Sequence, residues 1–284
     1  MNKMLNDLSG KIDPSSLKVL LEINKYAIKL NLDYFIIGAT ARDILLEHSH
    51  DIKSTRMTKD IDIAVCVTNW EEYKALIDEL MATGRFAKHA QKQRYDYDGT
   101  SIDIIPFGDI SGPDNKISWP PYHDPIMSTV GFIDIYKNAK IYRFNNKPVL
   151  DIKVPSIPGL AMLKILSWND AYPGREKDAE DLLFIMREYQ RAGIEDRLYG
   201  QETSLLEEED FDIELAGIRL LGRDMARISS TATVKAIKEI LIDETMENCK
   251  CRLAFQMEKN RDDYDAIMVL LKKLKQGFFE ENDF

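Results

Sequence analysis

Apolar residues recur after the start signal Asp13-Pro14-Ser15-Ser16, where Leu17, Leu20, Leu21, Ile23, Ala27, Ile28 and Leu30 make a strongly apolar helix. The spacing predicts a first helix ending near Asn31. The next four residues, Tyr34-Phe35-Ile36-Ile37, are all apolar or aromatic and read as a buried strand. Gly38 then allows a tight turn, and Ala41 to Leu46 reads as a helix that begins directly after it. A polar stretch without periodicity, His48 to Met57, leads to Asp60-Ile61-Asp62-Ile63-Ala64-Val65. Side chains alternate along a strand, so Asp60 and Asp62 share one face while Ile61 and Ile63 fill a core on the other.

Thr68-Asn69 is a capping signal for a helix with Tyr73, Leu76, Ile77, Leu80 and Met81 on its apolar face, stopped by Gly84. From Phe86 to Phe107 the period becomes that of strands, and Asp98-Gly99 joins Arg94 to Tyr97 with Thr100 to Ile105 as a hairpin. Asp103 lies between Ile102 and Ile104 in the same alternation as the first two aspartates. Tyr95 and Tyr97 read as strand packing. Gly108 to Asp124 reads as a long loop, Gly131 to Tyr136 and Lys140 to Phe144 as a pair of strands, and Pro148 to Ile152 as a last strand.

Near residue 155 the pattern turns helical. Ser156 and Pro158 open a helix through Trp168, Tyr172-Pro173-Gly174 breaks it, and Lys177 to Tyr189 forms the next. Glu202 to Glu214 reads as an acidic, solvated linker, and Ile213 to Gly277 as several helices. The expected fold class is α+β. Residues 1–155 would form a mixed or antiparallel sheet flanked by helices, and residues 156–284 an α-helical domain.

Composition narrows the functional classes. With 38 basic against 48 acidic residues the formal net charge is −10, so the chain has no general attraction to polyanions, and a nucleic acid would need a local basic patch. The opening Met1 to Asp7 lacks the apolar run of a signal peptide and no stretch approaches a membrane span, which reads as a cytoplasmic protein with no membrane partner. Cys66, Cys249 and Cys251 are too few and too poorly spaced for a disulfide framework, and the Cys249-Lys250-Cys251 pair lacks the second ligand pair of a structural zinc site. His48 and His50, alternate residues in a loop, read as surface rather than as a metal pair.

The chemistry lies in the run from Tyr34 to Asp62. Strand, glycine turn and helix start outline a phosphate site, because a helix N-terminus offers unpaired N–H groups and the positive end of its dipole. Two aspartates beside it, with Asp103 brought in from a neighbouring strand, make three carboxylates on one face. At about 7 Å two such charges repel by about 0.6 kcal/mol in water and about 2.4 kcal/mol at an effective dielectric of 20. A divalent cation turns that repulsion into attraction. Magnesium suits hard oxygen ligands and substrate phosphates, so the arrangement points to a nucleoside triphosphate and to phosphoryl transfer.

These residues resemble the signature of the polymerase-β-like nucleotidyltransferases: a hydrophobic residue, Gly, then Gly or Ser; later Asp-hydrophobic-Asp; later still a third Asp on a neighbouring strand. Ile37-Gly38-Ala39 matches except at Ala39, with Thr40 the nearest hydroxyl; Asp60-Ile61-Asp62 matches throughout, and Ile102-Asp103-Ile104 fits the third position. Gly38 to Leu46 is also similar to the opening of CCA-adding enzymes. Val154-Pro155-Ser156 leading to Lys164, followed by Arg175 to Leu182, is similar to the AbiEii-type nucleotidyltransferase toxins.

The resemblance implies an enzyme that moves a nucleotidyl group from an NTP, such as ATP, with Mg2+ on Asp60, Asp62 and Asp103, the last as ligand or base. It implies nucleotide contacts from Gly38, Ala39, Thr40, Arg42, Lys59, Lys164, Arg175 and Lys177. The AbiEii likeness further implies tRNA as acceptor and a toxin of a toxin–antitoxin or phage-defence system, with an antitoxin partner. Two alternatives stand beside this. One is nucleotidylation of a small hydroxylated molecule such as an aminoglycoside, which the acidic balance favours; the other is a non-catalytic nucleotide-binding partner protein. Arg42 and Asp43 also read as a simple pair on the first helical turn, Lys164 as a solvated helix lysine, and Asp178 and Asp181 as helix-surface residues.

Overall fold

The structure is a computed structural model that describes residues 6–54, 60–248, 250–257 and 263–281. It falls into two compact units: the described residues up to Ser49 and from Asp60 to Ser156, and His50–Ser54 with the described residues from Ile157 onward. Lys59 and Cys249, both named above, lie outside the described residues.

The first unit opens with β1 (Asn6–Asp7), α1 (Pro14–Lys29), β2 (Tyr34–Ile37) and α2 (Gly38–Arg42), which continues into a π-helical segment, Asp43–His48. There follow β3 (Ile61–Cys66), α3 (Trp70–Ala82), β4 (Phe86–Lys88), β5 (Arg94–Tyr97), β6 (Thr100–Phe107), β7 (Lys116–Ser118) and β8 (Ile126–Ser128). The unit closes with α4 (Phe132–Lys137), β9 (Lys140–Asn146) and β10 (Val149–Val154). Eight strands form one sheet in the order β1-β9-β10-β2-β3-β6-β5-β4. It is mixed: β2 runs antiparallel to β3, β3 parallel to β6, and β5 antiparallel to β6. With the helices around it this is the mixed α/β architecture expected of the chain.

The helix starts follow from local chemistry. Asp13 caps α1 by accepting from the backbone N–H groups of Ser15 and Ser16, with Pro14 in the first turn. Asn69 caps α3 by accepting from Glu72 N at 2.9 Å, and Glu72 in return accepts from Thr68 N at 2.8 Å. Two otherwise orphaned donors are satisfied reciprocally. The core of the sheet is apolar on both sides of β2, where Phe35 and Ile36 are fully buried.

Three segments differ from their sequence reading. Phe132 to Tyr136 forms the helix α4 rather than a strand. Gly131 precedes it at φ +83°, and the helix sets Phe132 and Tyr136, four residues apart, against Phe35 and Phe107 with ring centroids 5.7–6.4 Å apart. Helix and strand both place residues i and i+4 on one side, so the apolar pattern did not separate the two. The stretch read as a long loop contains the short turn Asp109–Ser111 and the strand β7, which pairs with β8 in a small second sheet.

The third difference is in the second unit, which consists of α5 (Ile157–Asp170), α6 (Glu176–Glu188), α7 (Glu195–Leu198), α8 (Thr203–Glu208), α9 (Ile213–Arg227), α10 (Thr231–Thr245), α11 (Arg252–Met257) and α12 (Tyr264–Glu280). The acidic stretch read as a solvated linker folds as α8, with Leu205 and Leu206 buried. Its carboxylates are taken up in ion pairs: buried Glu209 with Arg219 at 3.0 Å and Lys273 at 2.6 Å, and Glu202 with Arg223 and Arg227 at 3.1 Å. Helices α9 and α12 meet at Gly222, where an added Cβ would lie 2.7 Å from Phe278 N. Among the described residues no helix is long and apolar enough to cross a membrane. Cys66 is a free thiol.

Candidate active site

Three strands of the central sheet build the site. Ile37 at the end of β2 pairs with Asp62 on β3, and Asp62 pairs in parallel register with Asp103 on β6. Registered neighbours in a sheet point to the same face, roughly 5 Å apart along the hydrogen-bonding direction. The flanking Ile61, Ile63, Ile102 and Ile104 are buried on the opposite face. Asp60 stands just ahead of β3, with its side chain 47% exposed, whereas that of Asp103 is 14% exposed.

Gly38 adopts φ +68°, the left-handed region. A Cβ at this position would overlap the Asp62 carboxylate, lying 2.6 Å from its Cγ. Absence of a side chain therefore lets the turn sit directly against the aspartate. Thr40 donates its hydroxyl proton to the Asp60 carbonyl at 2.9 Å, so that donor is spent on tying the turn to the start of β3. Ala39 follows Gly38 in the same half-exposed turn. Arg42 is almost fully buried and donates from Nε and Nη2 to Asp43 Oδ1 at 2.8 and 2.6 Å, the local pair that the sequence also allowed.

The carboxylate set has a cation that the sequence reading missed. Arg94 on β5 lies directly across from Asp103 in the antiparallel pair β5–β6. It donates from Nε to Asp103 Oδ1 at 2.7 Å and from Nη2 to Oδ2 at 3.0 Å, a bidentate pair, and the same Nη2 is 3.6 Å from Asp60 Oδ2. The hydrogen bonds to Asp103, with the charges of Asp103, Asp60 and Asp62 behind them, hold the guanidinium above its ordinary value against the opposing effect of burial. The signal was present in the chain. Counting outward from the two-residue turn Asp98-Gly99, the pairs Tyr97–Thr100, Asp96–Ser101 and Tyr95–Ile102 lead to Arg94–Asp103.

A cavity of about 100 Å³ adjoins Thr40 and Asp60. Asp13, Ser16 and Leu20 of the α1 region, Thr40, Asp43 and His48 around the turn, and Asp60 are among its lining residues. Asp13, Asp43 and Asp60 make its wall acidic.

In the second unit Lys164 is 5% exposed, with its ammonium 2.8 Å from Asp178 and 2.7 Å from Asp181. Burial alone would depress it, but the two aspartates outweigh that and hold it above the ordinary lysine value. The lysine and both aspartates, read as solvated surface in one alternative, are interior. Arg175 lies 3.6 Å from Asp178, and Lys177 is exposed.

Magnesium takes hard oxygens and is commonly held by one or two carboxylates together with substrate phosphates. Asp60 and Asp62 beside the glycine turn fit that mode, and Arg94 already stands as a positive charge among the carboxylates. A protein-only cage is a different matter: among the described residues no three His, Cys, Asp or Glu side chains are gathered as metal ligands.

No family model and no curated protein matches the chain. Among solved structures it is similar to ANT(2")-Ia in complex with adenylyl-2"-tobramycin, at 14% identity over 69% of this chain and 97% of that one, with a TM-score of 0.37. It is similar to a CCA-adding enzyme with ATP at 17% identity over 92% of this chain and 67% of that one, TM-score 0.34. The Thermotoga maritima CCA-adding enzyme complexed with tRNA shows 16% identity over 95% of this chain and 82% of that one, TM-score 0.32. Likenesses this distant decide neither the activity nor the substrate of the present chain.

Proposed function

We propose that the chain is a magnesium-dependent nucleotidyltransferase of the polymerase-β-like type, moving a nucleotidyl group from an NTP to the hydroxyl of an acceptor, with the α–β phosphoanhydride bond broken and pyrophosphate leaving. The observation that carries this reading is the continuous register Ile37–Asp62–Asp103, which sets a left-handed glycine turn and two carboxylates side by side on one sheet face. Gly38 and the backbone that follows it admit the triphosphate close to the main chain. Asp60 and Asp62 are the residues that would hold magnesium, which when bound screens the charge of the phosphates. Asp103 completes the set, as a further ligand or as the base that accepts the proton of the attacking hydroxyl; in the present arrangement Arg94 holds both its oxygens.

The AbiEii-type resemblance points to the end of a tRNA as acceptor, and with it to a toxin that an antitoxin protein restrains. A second reading, transfer to a small hydroxylated cation such as an aminoglycoside, is favoured by the acidic cavity at Asp13, Asp43 and Asp60 and by the net charge of −10. One experiment tests both. The protein is incubated with each labelled NTP and magnesium, with total tRNA in one arm and an aminoglycoside in the other, beside the Asp60→Ala, Asp62→Ala double variant. Label on one acceptor with the wild type alone supports transfer and identifies the acceptor class by mass spectrometry. Equal label with the wild type and the double variant overturns the enzyme reading, and calorimetry with ATP and magnesium then tests a non-catalytic nucleotide-binding partner.

A further inference from the structure

Asp103 lies in the last residue pair that β5 and β6 form, opposite Arg94. One residue further on, β6 is held by two different partners. Ile104 N donates to Gln93 O at 2.8 Å, and Ile104 O accepts the hydroxyl proton of Tyr73 at 2.9 Å. The second partner is a side chain of α3 that meets the sheet from its buried side, with Tyr73 only 5% exposed and Ile104 fully buried. Tyr95 completes the arrangement. It follows Arg94 along β5 and so lies on the face opposite the Arg94–Asp103 pair, with its hydroxyl 3.4 Å from that of Tyr73. Because the Tyr73 proton goes to Ile104 O, Tyr95 is the donor in that contact. Burial, then Tyr95, and also the charge of Asp103 push the Tyr73 phenol well above its ordinary value, so it remains a donor.

We infer that Tyr73 is a positioning residue for Asp103: its hydroxyl fixes, from behind the sheet, the stretch of β6 whose front carries the carboxylate. The consequence for chemistry rests on the nucleotidyltransferase reading above. A side chain that only fills the core would act through its ring, and its hydroxyl would be dispensable. A positioning hydroxyl has a separate effect. Without it the buried carbonyl next to Asp103 loses its partner, β6 shifts to recover one, and the carboxylate moves against Arg94 and the reacting groups. Trp119 supplies an internal control. Its ring lies 5.6 Å from that of Tyr73 in the same aromatic cluster, yet among the described residues its buried Nε1–H meets no acceptor.

The test compares the full chain with its Tyr73→Phe, Trp119→Phe and Asp60→Ala, Asp62→Ala variants. In isotope-labelled protein the nuclear magnetic resonance signal of Arg94 Nε–H, identified by its loss in Arg94→Lys, reports the bond to Asp103 without any substrate. Labelled NTP and magnesium, with total tRNA or an aminoglycoside, then give kcat and KM. Tyr73→Phe is expected to shift the Arg94 signal and to lower kcat on the order of tenfold with KM for the NTP unchanged, since the Gly38 turn is untouched. Trp119→Phe is expected to melt lower yet keep the signal and the kcat of the wild type. Tyr95→Phe removes the hydroxyl that donates to Tyr73 and carries the comparison if Tyr73→Phe does not fold. A wild-type signal and kcat in Tyr73→Phe, beside an inactive double aspartate variant, overturn the inference and leave the functional reading standing. Equal changes in Trp119→Phe overturn it as well, being the mark of core packing alone. No transfer by the wild type to either acceptor overturns the functional reading, and the catalytic consequence of Tyr73 with it.

Discussion

At Gly38 two constraints coincide: φ of +68° and a Cβ position overlapping Asp62. Ala at this position meets both, so Gly38→Ala is expected to destabilise the protein by about 1–3 kcal/mol, the cost of a strained backbone residue. On the proposed reading, nucleotidyl transfer should fall on the order of a hundredfold, the scale of a small misplacement in a reacting site. Urea unfolding and the labelled-NTP assay measure the two, and unchanged values in both would remove Gly38 from the site. Single residues were legible in the chain when their placement depended on local backbone, as for Gly38, or on strand alternation, as for Asp62 and Asp103. Thr40 was legible as a member of the turn but not in what it binds, the Asp60 carbonyl, whereas Arg42 pairs with Asp43 as the sequence allowed. Arg94 was missed because no motif marks it; its partner lies across a strand pair.

Among the elements, those with a chemical start signal were the most readable. Asn69 and Glu72 close the first turn of α3 upon each other, and hydrogen bonds from Thr68 hold the Glu72 carboxyl below its ordinary value. Asn69→Ala is expected to cost about 1 kcal/mol of stability. Chemical denaturation should show the loss with an unchanged m-value, since a cap alters neither core nor exposed surface. The hairpin β5–β6 was equally legible, because Asp98-Gly99 permits positive φ at both turn positions. By contrast α4 was not. Phe132 and Tyr136 satisfy either period, and the choice of helix is visible only in their packing against Phe35 and Phe107.

For the molecule as a whole, each of the two units has its own means of managing charge, and in the second it is a network rather than isolated pairs. Glu280 accepts from Arg219 and Arg223; burial would raise its carboxyl, and the two guanidiniums more than offset that and hold it below the ordinary glutamate value. A carboxyl depressed on folding contributes stability above its unfolded value, about 4.3, and loses that contribution as pH falls through the folded one. Melting temperature is therefore expected to fall on acidification below about pH 4, and Glu280→Gln should flatten that limb relative to wild type when both are scanned by calorimetry. Sequence by itself determined the mixed sheet followed by helices, the glycine turn, and the alternation that puts Asp62 and Asp103 opposite buried isoleucines, because these depend on period and on backbone chemistry within a few residues. Tertiary structure alone decided that Lys164 is buried between Asp178 and Asp181, and that the acidic stretch around Glu209 is folded. In both cases the deciding interaction joins charges on different elements, and which partner a charge meets is a property of packing rather than of pattern.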